Sequence, residues 1–124
     1  MSKYLSKKAE YNGIKFDSRK EMKRYIYLLE LLKKGEISGL ECQKKYVLIP
    51  SQKEQDRIEI NKNGKDRIVK GKCIERECAY YADFVYITKD NKLVVEDTKG
   101  VRTPEYIIKR KLMLFEFNIK IQEL

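Results

Sequence analysis

Between Tyr81 and Gly100 the chain reads YADFVYITKDNKLVVEDTKG. Two apolar runs flank the polar turn KDN, so the stretch reads as a β-hairpin. Yet it carries Asp83 on its first strand and Glu96, Asp97 and Lys99 at the end of its second. Alternate side chains of a strand share a face, so Val95, Asp97 and Lys99 point one way while Val94, Glu96 and Thr98 point the other. Only one of the adjacent acids can share a site with Lys99. If Asp83 faces that site too, it and Asp97 can hold a divalent cation, because Mg²⁺ prefers hard oxygen ligands. Without a cation the two carboxylates would repel. Turn length decides the matter. A two-residue turn at Asp90-Asn91 pairs 83 with 98 and sends Asp83 to the wrong face, whereas a three-residue loop over 89–91, or a bulge, pairs 83 with 97 on one face.

The totals bound what such a site can be. At 124 residues the chain is expected to be a single domain, 1–124, with one modest core. Its 28 Lys+Arg against 19 Asp+Glu give a formal charge of +9, which favours a polyanionic partner such as DNA. Three cysteines without CxxC spacing indicate neither a disulfide framework nor a zinc knuckle. The chain has no histidine. That excludes His-dependent nucleases and Ser-His or Cys-His triads, and leaves catalysis to carboxylates, lysine and a bound metal. No apolar run is long enough for a membrane span, and MSKYLSKKAEY lacks a signal peptide's apolar core, so a cytoplasmic, membrane-free protein is expected.

Outside the hairpin, residues 1–16 read as a basic N-terminal arm with a tight turn at Asn12-Gly13. From Ser18 the periodicity is helical, with a stripe Glu21, Tyr25, Leu28, Leu32 and a C-capping Gly35. KYVLI reads as a strand stopped by Pro50. Residues 51–72 are a polar insertion, either a β-hairpin flap turning at Asn63-Gly64 or an irregular loop. CIERECAYYADFVYIT reads as one long strand. After Gly100, Thr103 caps and Pro104 opens a second helix whose expected buried side is Ile108, Leu112 and Phe115, and NIKIQEL closes as a strand. The fold class is thus α/β: a helix, an antiparallel three-strand sheet, then a right-handed strand-helix-strand crossover to a further strand.

The candidate catalytic residues are Glu21, Asp83, Asp97 and Lys99. Lys99 can orient the attacking water and offset charge on a phosphate, and Gly100 lets backbone approach a phosphate closely. Surface ion pairing explains the same Asp-x-Lys string without chemistry. Glu21 heads the inward stripe, but it also fits a capping box with Ser18. Lys20, Lys23, Arg24, Arg102, Lys109, Arg110 and Lys111 are candidates for contacting DNA phosphates, as are Gln43 and Lys45. A solvated charge run accounts for any one of them equally well.

These residues carry a resemblance. Glu21 in FDSRKEMKRY, Asp83 in YYADFVYI and Asp97-Thr98-Lys99 in VVEDTKG resemble the helix acid, strand acid and acid-x-lysine of the PD-(D/E)XK nuclease superfamily, with its restriction endonuclease-like core. More narrowly, NGIKFDS, LECQKKYVLIP, YADFVY and VVEDTKG together resemble a family of small, uncharacterised phage and prophage proteins within that superfamily. Ala82 stands where the superfamily's name has proline, and 51–72 is longer than the usual link. The resemblance implies that Asp83, Asp97 and the Thr98 carbonyl bind Mg²⁺ or Mn²⁺, that Glu21 assists, and that Lys99 serves the attacking water. It implies an endonuclease active in phage DNA recombination or processing. Similarity to Holliday-junction resolvases suggests branched DNA as substrate and a homodimer. The alternatives are a catalytically inactive nucleic-acid-binding module of the same fold, or a structural adaptor.

Overall fold

The computed structural model describes residues 8–98 and 100–124. Part of the arm expected over 1–16 and the whole of the candidate Lys99 lie outside the described residues. In chain order the elements are β1 (Ala9–Tyr11), β2 (Ile14–Phe16), α1 (Arg19–Lys33), β3 (Ile37–Ile49), β4 (Gln52–Lys53) and β5 (Arg57–Ile60). They continue with β6 (Asp66–Val69), β7 (Cys73–Glu75), β8 (Cys78–Thr88), β9 (Leu93–Asp97), α2 (Pro104–Phe117) and β10 (Gln122–Glu123). They form two compact units: the described residues up to Lys45 with those from Tyr81 onward, and residues 46–80.

The larger unit has an α/β arrangement, a mixed sheet with helices, which agrees at a coarse level with a nuclease-like core. The sheet order is β10-β9-β8-β3. Strands β8 and β9 are antiparallel, pairing Phe84 with Glu96 and Val85 with Val95, while β10 lies parallel to β9 after the excursion through α2. The connecting loop is the three-residue one. Thr88 N–H donates to the Lys92 carbonyl at 2.9 Å and Asn91 N–H to the Thr88 carbonyl at 3.0 Å, with Asn91 at φ 60°. Asparagine tolerates this left-handed conformation better than most residues.

Helix α1 begins where Ser18 Oγ accepts from the Glu21 N–H at 3.1 Å. It ends on Gly35 at φ 72°, with Glu36 N–H donating to the Leu31 carbonyl at 2.9 Å, a left-handed cap that glycine adopts without a Cβ clash. Leu28 packs with Phe16, Ile37, Phe84 and Tyr86 into a core cluster flanked by Tyr25 and Met22. Phe16 comes from the β1–β2 hairpin, so part of the segment read as an arm contributes a buried ring to the core.

Three local readings change. Strand β3 starts at Ile37, well before KYVLI. Gly39 and Gln43, both at positive φ, interrupt its pleat and hide the alternation that a strand normally shows. CIERECAYYADFVYIT is two strands, β7 and β8. On α2 the buried residues are Tyr106 and Met113, while Ile108 and Phe115 are 58% and 83% exposed. This helix has apolar residues on most sides, so its periodicity cannot say which stripe meets the sheet.

The smaller unit pairs β4 with β7 and β5 with β6, each antiparallel. Gly71 is required there: a Cβ at this position would sit 1.7 Å from the Glu54 carbonyl oxygen.

The acid next to Asp97 has a structural role. Glu96 is fully buried and accepts from Arg24 Nε at 2.9 Å and Arg24 Nη2 at 2.6 Å, and also from the Tyr86 hydroxyl. These bonds to Glu96 hold the Arg24 guanidinium charged, and burial together with the same contact pushes the Tyr86 phenol up to about 12. Arg24, expected from the sequence to contact a DNA phosphate, thus ties α1 to β9. Removing one partner of such a pair strands the other's charge, whereas removing both is far milder. Arg24→Met should cost about 3 kcal/mol in urea unfolding, and Arg24→Met/Glu96→Met should recover most of it. A double variant as unstable as the single one would contradict this account.

Candidate functional site

Opposite-face geometry separates the remaining acids from Glu96. Continuing the β8–β9 register by one residue sets Asp83 across from Asp97, and directly opposed residues hold their Cβ atoms about 5 Å apart. Asp97 is 1% exposed and Glu21 6%. Asp83 is held from two directions. Its Oδ2 accepts from Thr98 N–H at 2.8 Å and Thr98 Oγ1 at 2.9 Å, and its Oδ1 accepts from Gln43 Nε2 at 2.9 Å. The same Gln43 amide donates to Glu21 Oε1 at 3.2 Å. One amide thus links the helix acid to the strand acid.

Gln43 reaches both acids from a backbone at φ 52°. A non-glycine residue there costs about 1–2 kcal/mol, a cost that two hydrogen bonds to carboxylates offset. Strain of this kind is concentrated at functional sites.

Beside this link lies a cavity of about 270 Å³ lined by Ile14, Lys15, Phe16, Asp17, Glu21, Cys42 and Gln43. Glu21 is pushed up to about 7, first by burial and then by the charges of Asp83 and Asp17, against the lowering effect of the Gln43 hydrogen bond. Burial, then Glu21 and Asp83, likewise raise the Cys42 thiol. Lys15, Asp17 and Cys42 were not among the sequence candidates. FDSRKE contains Asp17 directly before the helix cap, but adjacency to a cap gives no hint of a second acid facing Glu21.

The other candidates are dispersed. Arg102 and Arg110 both pair with Glu123, at 2.9 and 3.1 Å, and Lys109 pairs with Glu105 at 3.3 Å. Lys20 Nζ donates to the Leu124 carbonyl at 2.5 Å. Lys23, Lys45 and Gly100 are exposed. Lys99 belongs to the undescribed residues, so its part in the site remains an expectation from the sequence.

The donor chemistry, carboxylate oxygens on a rigid sheet, suits a hard cation. The number of donors is smaller than expected: among the described residues no group of three or more Cys, Asp or Glu side chains is placed to hold a metal ion. Glu21 is connected to Asp83 through an amide. A family comparison matches residues 1–123. The chain belongs to the DUF1064 family, described as a protein of unknown function. No curated protein and no solved structure matches the chain. Among the described residues no helix of this DUF1064 protein is long and apolar enough to cross a membrane.

The Glu21 shift carries a stability consequence. A carboxyl whose folded pKa is raised favours folding while protonated, and that contribution is lost as pH rises through about 7. Glu21→Gln should therefore raise Tm over wild type in EDTA by on the order of 5 °C at pH 8, with little gain at pH 4. A gain that does not change across this range would show that Glu21 ionises without penalty.

Proposed function

We propose that this DUF1064 protein is a metal-dependent endonuclease that hydrolyses DNA phosphodiester bonds. The observation that carries the reading is the β8–β9 register, which sets Asp83 across from buried Asp97 on the face opposite the Arg24–Glu96 pair. Two acids on one sheet face in a chain of net charge +9 form a local negative centre in a molecule that otherwise attracts polyanions. Such a centre makes sense if a cation separates it from the phosphate.

In this reading Asp83 and Asp97 hold Mg²⁺ or Mn²⁺ with the Thr98 carbonyl, and the ion, when bound, supplies electrostatic stabilisation of the phosphate charge. The chain's own groups do the rest. Lys99, two residues after Asp97, orients the attacking water. Glu21, with a pKa of about 7, is poised to accept its proton near neutral pH. The water oxygen bonds to phosphorus, the P–O3′ bond breaks, and O3′ leaves with a proton from solvent. Gln43 keeps Glu21 and Asp83 in register with one another. Branched DNA is the substrate to test first, because the resemblance to junction resolvases points there.

A second reading has a specific observation in its favour: the absence, among the described residues, of a three-acid group able to hold a metal. It takes the protein as a nucleic-acid-binding module that keeps a nuclease-like fold without the chemistry.

One substrate panel separates the two. Supercoiled plasmid, flap, four-way junction and linear duplex are incubated with Mg²⁺ or Mn²⁺, and binding is measured in EDTA. The endonuclease reading expects cleavage by wild type, lowered by on the order of 10²-fold or more in Asp97→Asn and Lys99→Ala, with binding in EDTA unchanged. Tight binding with no product from any substrate in either metal establishes the binding module instead.

A further inference from the structure

The β5–β6 hairpin has two unlike faces. Its register pairs Arg57 with Val69, Ile58 with Ile68, Glu59 with Arg67 and Ile60 with Asp66, so Ile58, Ile60 and Ile68 share one face with Asp66 at its tip end, and Arg57, Glu59 and Arg67 share the other with Val69. The isoleucines are 70%, 72% and 67% exposed. Three large aliphatic side chains stand together in water on a two-stranded ribbon and forgo the stabilisation that burial would give.

The rest of the hairpin is held firmly. On the polar face Glu59 accepts from Arg57 Nε at 2.9 Å and from Arg67 Nη2 at 3.3 Å. At the tip the Asn61 side-chain oxygen accepts from Asn63 N–H at 2.9 Å and Lys65 N–H at 3.0 Å, while Asn61 N–H donates to the Lys65 carbonyl at 2.9 Å. This turn, with Gly64 at φ 72°, displays Lys62 and Lys65, which take part in no ion pair among the described residues. Arg57, Lys62, Lys65 and Arg67 outnumber Glu59 and Asp66 between residues 57 and 69.

We infer that the β5–β6 hairpin is a DNA-engaging ribbon, with Lys62 and Lys65 on backbone phosphates and the Ile58–Ile60–Ile68 face wedged at a base step. The inference rests on the DNA-directed reading above but not on cleavage. A two-stranded ribbon fits a DNA groove, and aliphatic side chains are the usual wedges between base steps. An apolar protein surface would match the isoleucines but would leave the lysine tip without a partner. A duplex satisfies both, and the preformed turn lowers the ordering cost of binding.

The test uses full-length protein in EDTA with duplex DNA carrying 2-aminopurine, whose fluorescence rises on unstacking. Wild type should bind and raise the signal. Ile58→Thr/Ile68→Thr keeps β-branched residues in both strands; it should bind about 10-fold more weakly and lose the rise, while Ile58→Thr/Ile68→Phe should regain it. Lys62→Ala/Lys65→Ala should weaken binding on every sequence and reduce the slope of log K against log salt by about 2. Unchanged binding and signal in the Thr pair overturn the inference. So does a wild-type oligomer in light scattering that becomes monomeric in the Thr pair, because the face then belongs to a second copy. Binding and unstacking without cleavage in Mg²⁺ would uphold this inference while ending the endonuclease reading, and a wild type that binds no DNA would end both.

Discussion

The β8–β9 ladder hinges on the length of one loop. With three residues between Thr88 and Lys92, closed by Asn91 in the left-handed region, Asp83 falls opposite Asp97. One residue fewer would move every side chain of β9 to the other face relative to β8. Asp83 would then oppose Thr98, and Glu96 could not meet both Arg24 and Tyr86. The acidic face and the helix-binding face are set by the same count. Asn91 helps set which acids face each other, although it lies at the far end of the hairpin from them.

The sheet treats its acids in opposite ways. Glu96, on the helix side, is neutralised by a two-point guanidinium contact and a phenol, which is what permits complete burial of a carboxylate. Asp83 and Glu21 receive weaker compensation: amide, hydroxyl and backbone donors, none of them a full positive charge. Burial and the neighbouring charges of Asp83 and Asp17 then raise the Glu21 carboxyl. A proton or a cation relieves the same repulsion, so proton uptake by Glu21 and the cation binding proposed for Asp83 and Asp97 would be competing answers to one electrostatic problem.

The excess of positive charge is less available than its total suggests. Arg24 is occupied by Glu96, Arg102 and Arg110 by Glu123, and Lys109 by Glu105. Exposed pairs such as the last are weak and exchange readily with a phosphate, whereas Arg24 is held by a buried partner. The lysines at the β5–β6 turn are placed differently, on a short rigid tip with no carboxylate paired to them among the described residues.

Much of this was legible along the chain. The alternation in YADFVYI and LVVED, the cap at Ser18, the Thr103-Pro104 start of α2 and the Gly35 stop are written in residue types whose backbone preferences act locally. The separation of Glu96 from Asp97 also follows from pleat geometry alone. Other features were not readable, because they depend on contacts between distant segments. Gln43 becomes a bridge only because β3 bends at a left-handed residue between α1 and β8; Asp17 and Cys42 gain meaning only beside Glu21; and the apolar stripes of α2 are equivalent until the sheet covers one of them. Local sequence settles which faces exist, since each residue's φ, ψ preferences and side-chain direction are its own. Only the tertiary structure decides which faces meet, since burial is a property of the whole packed chain.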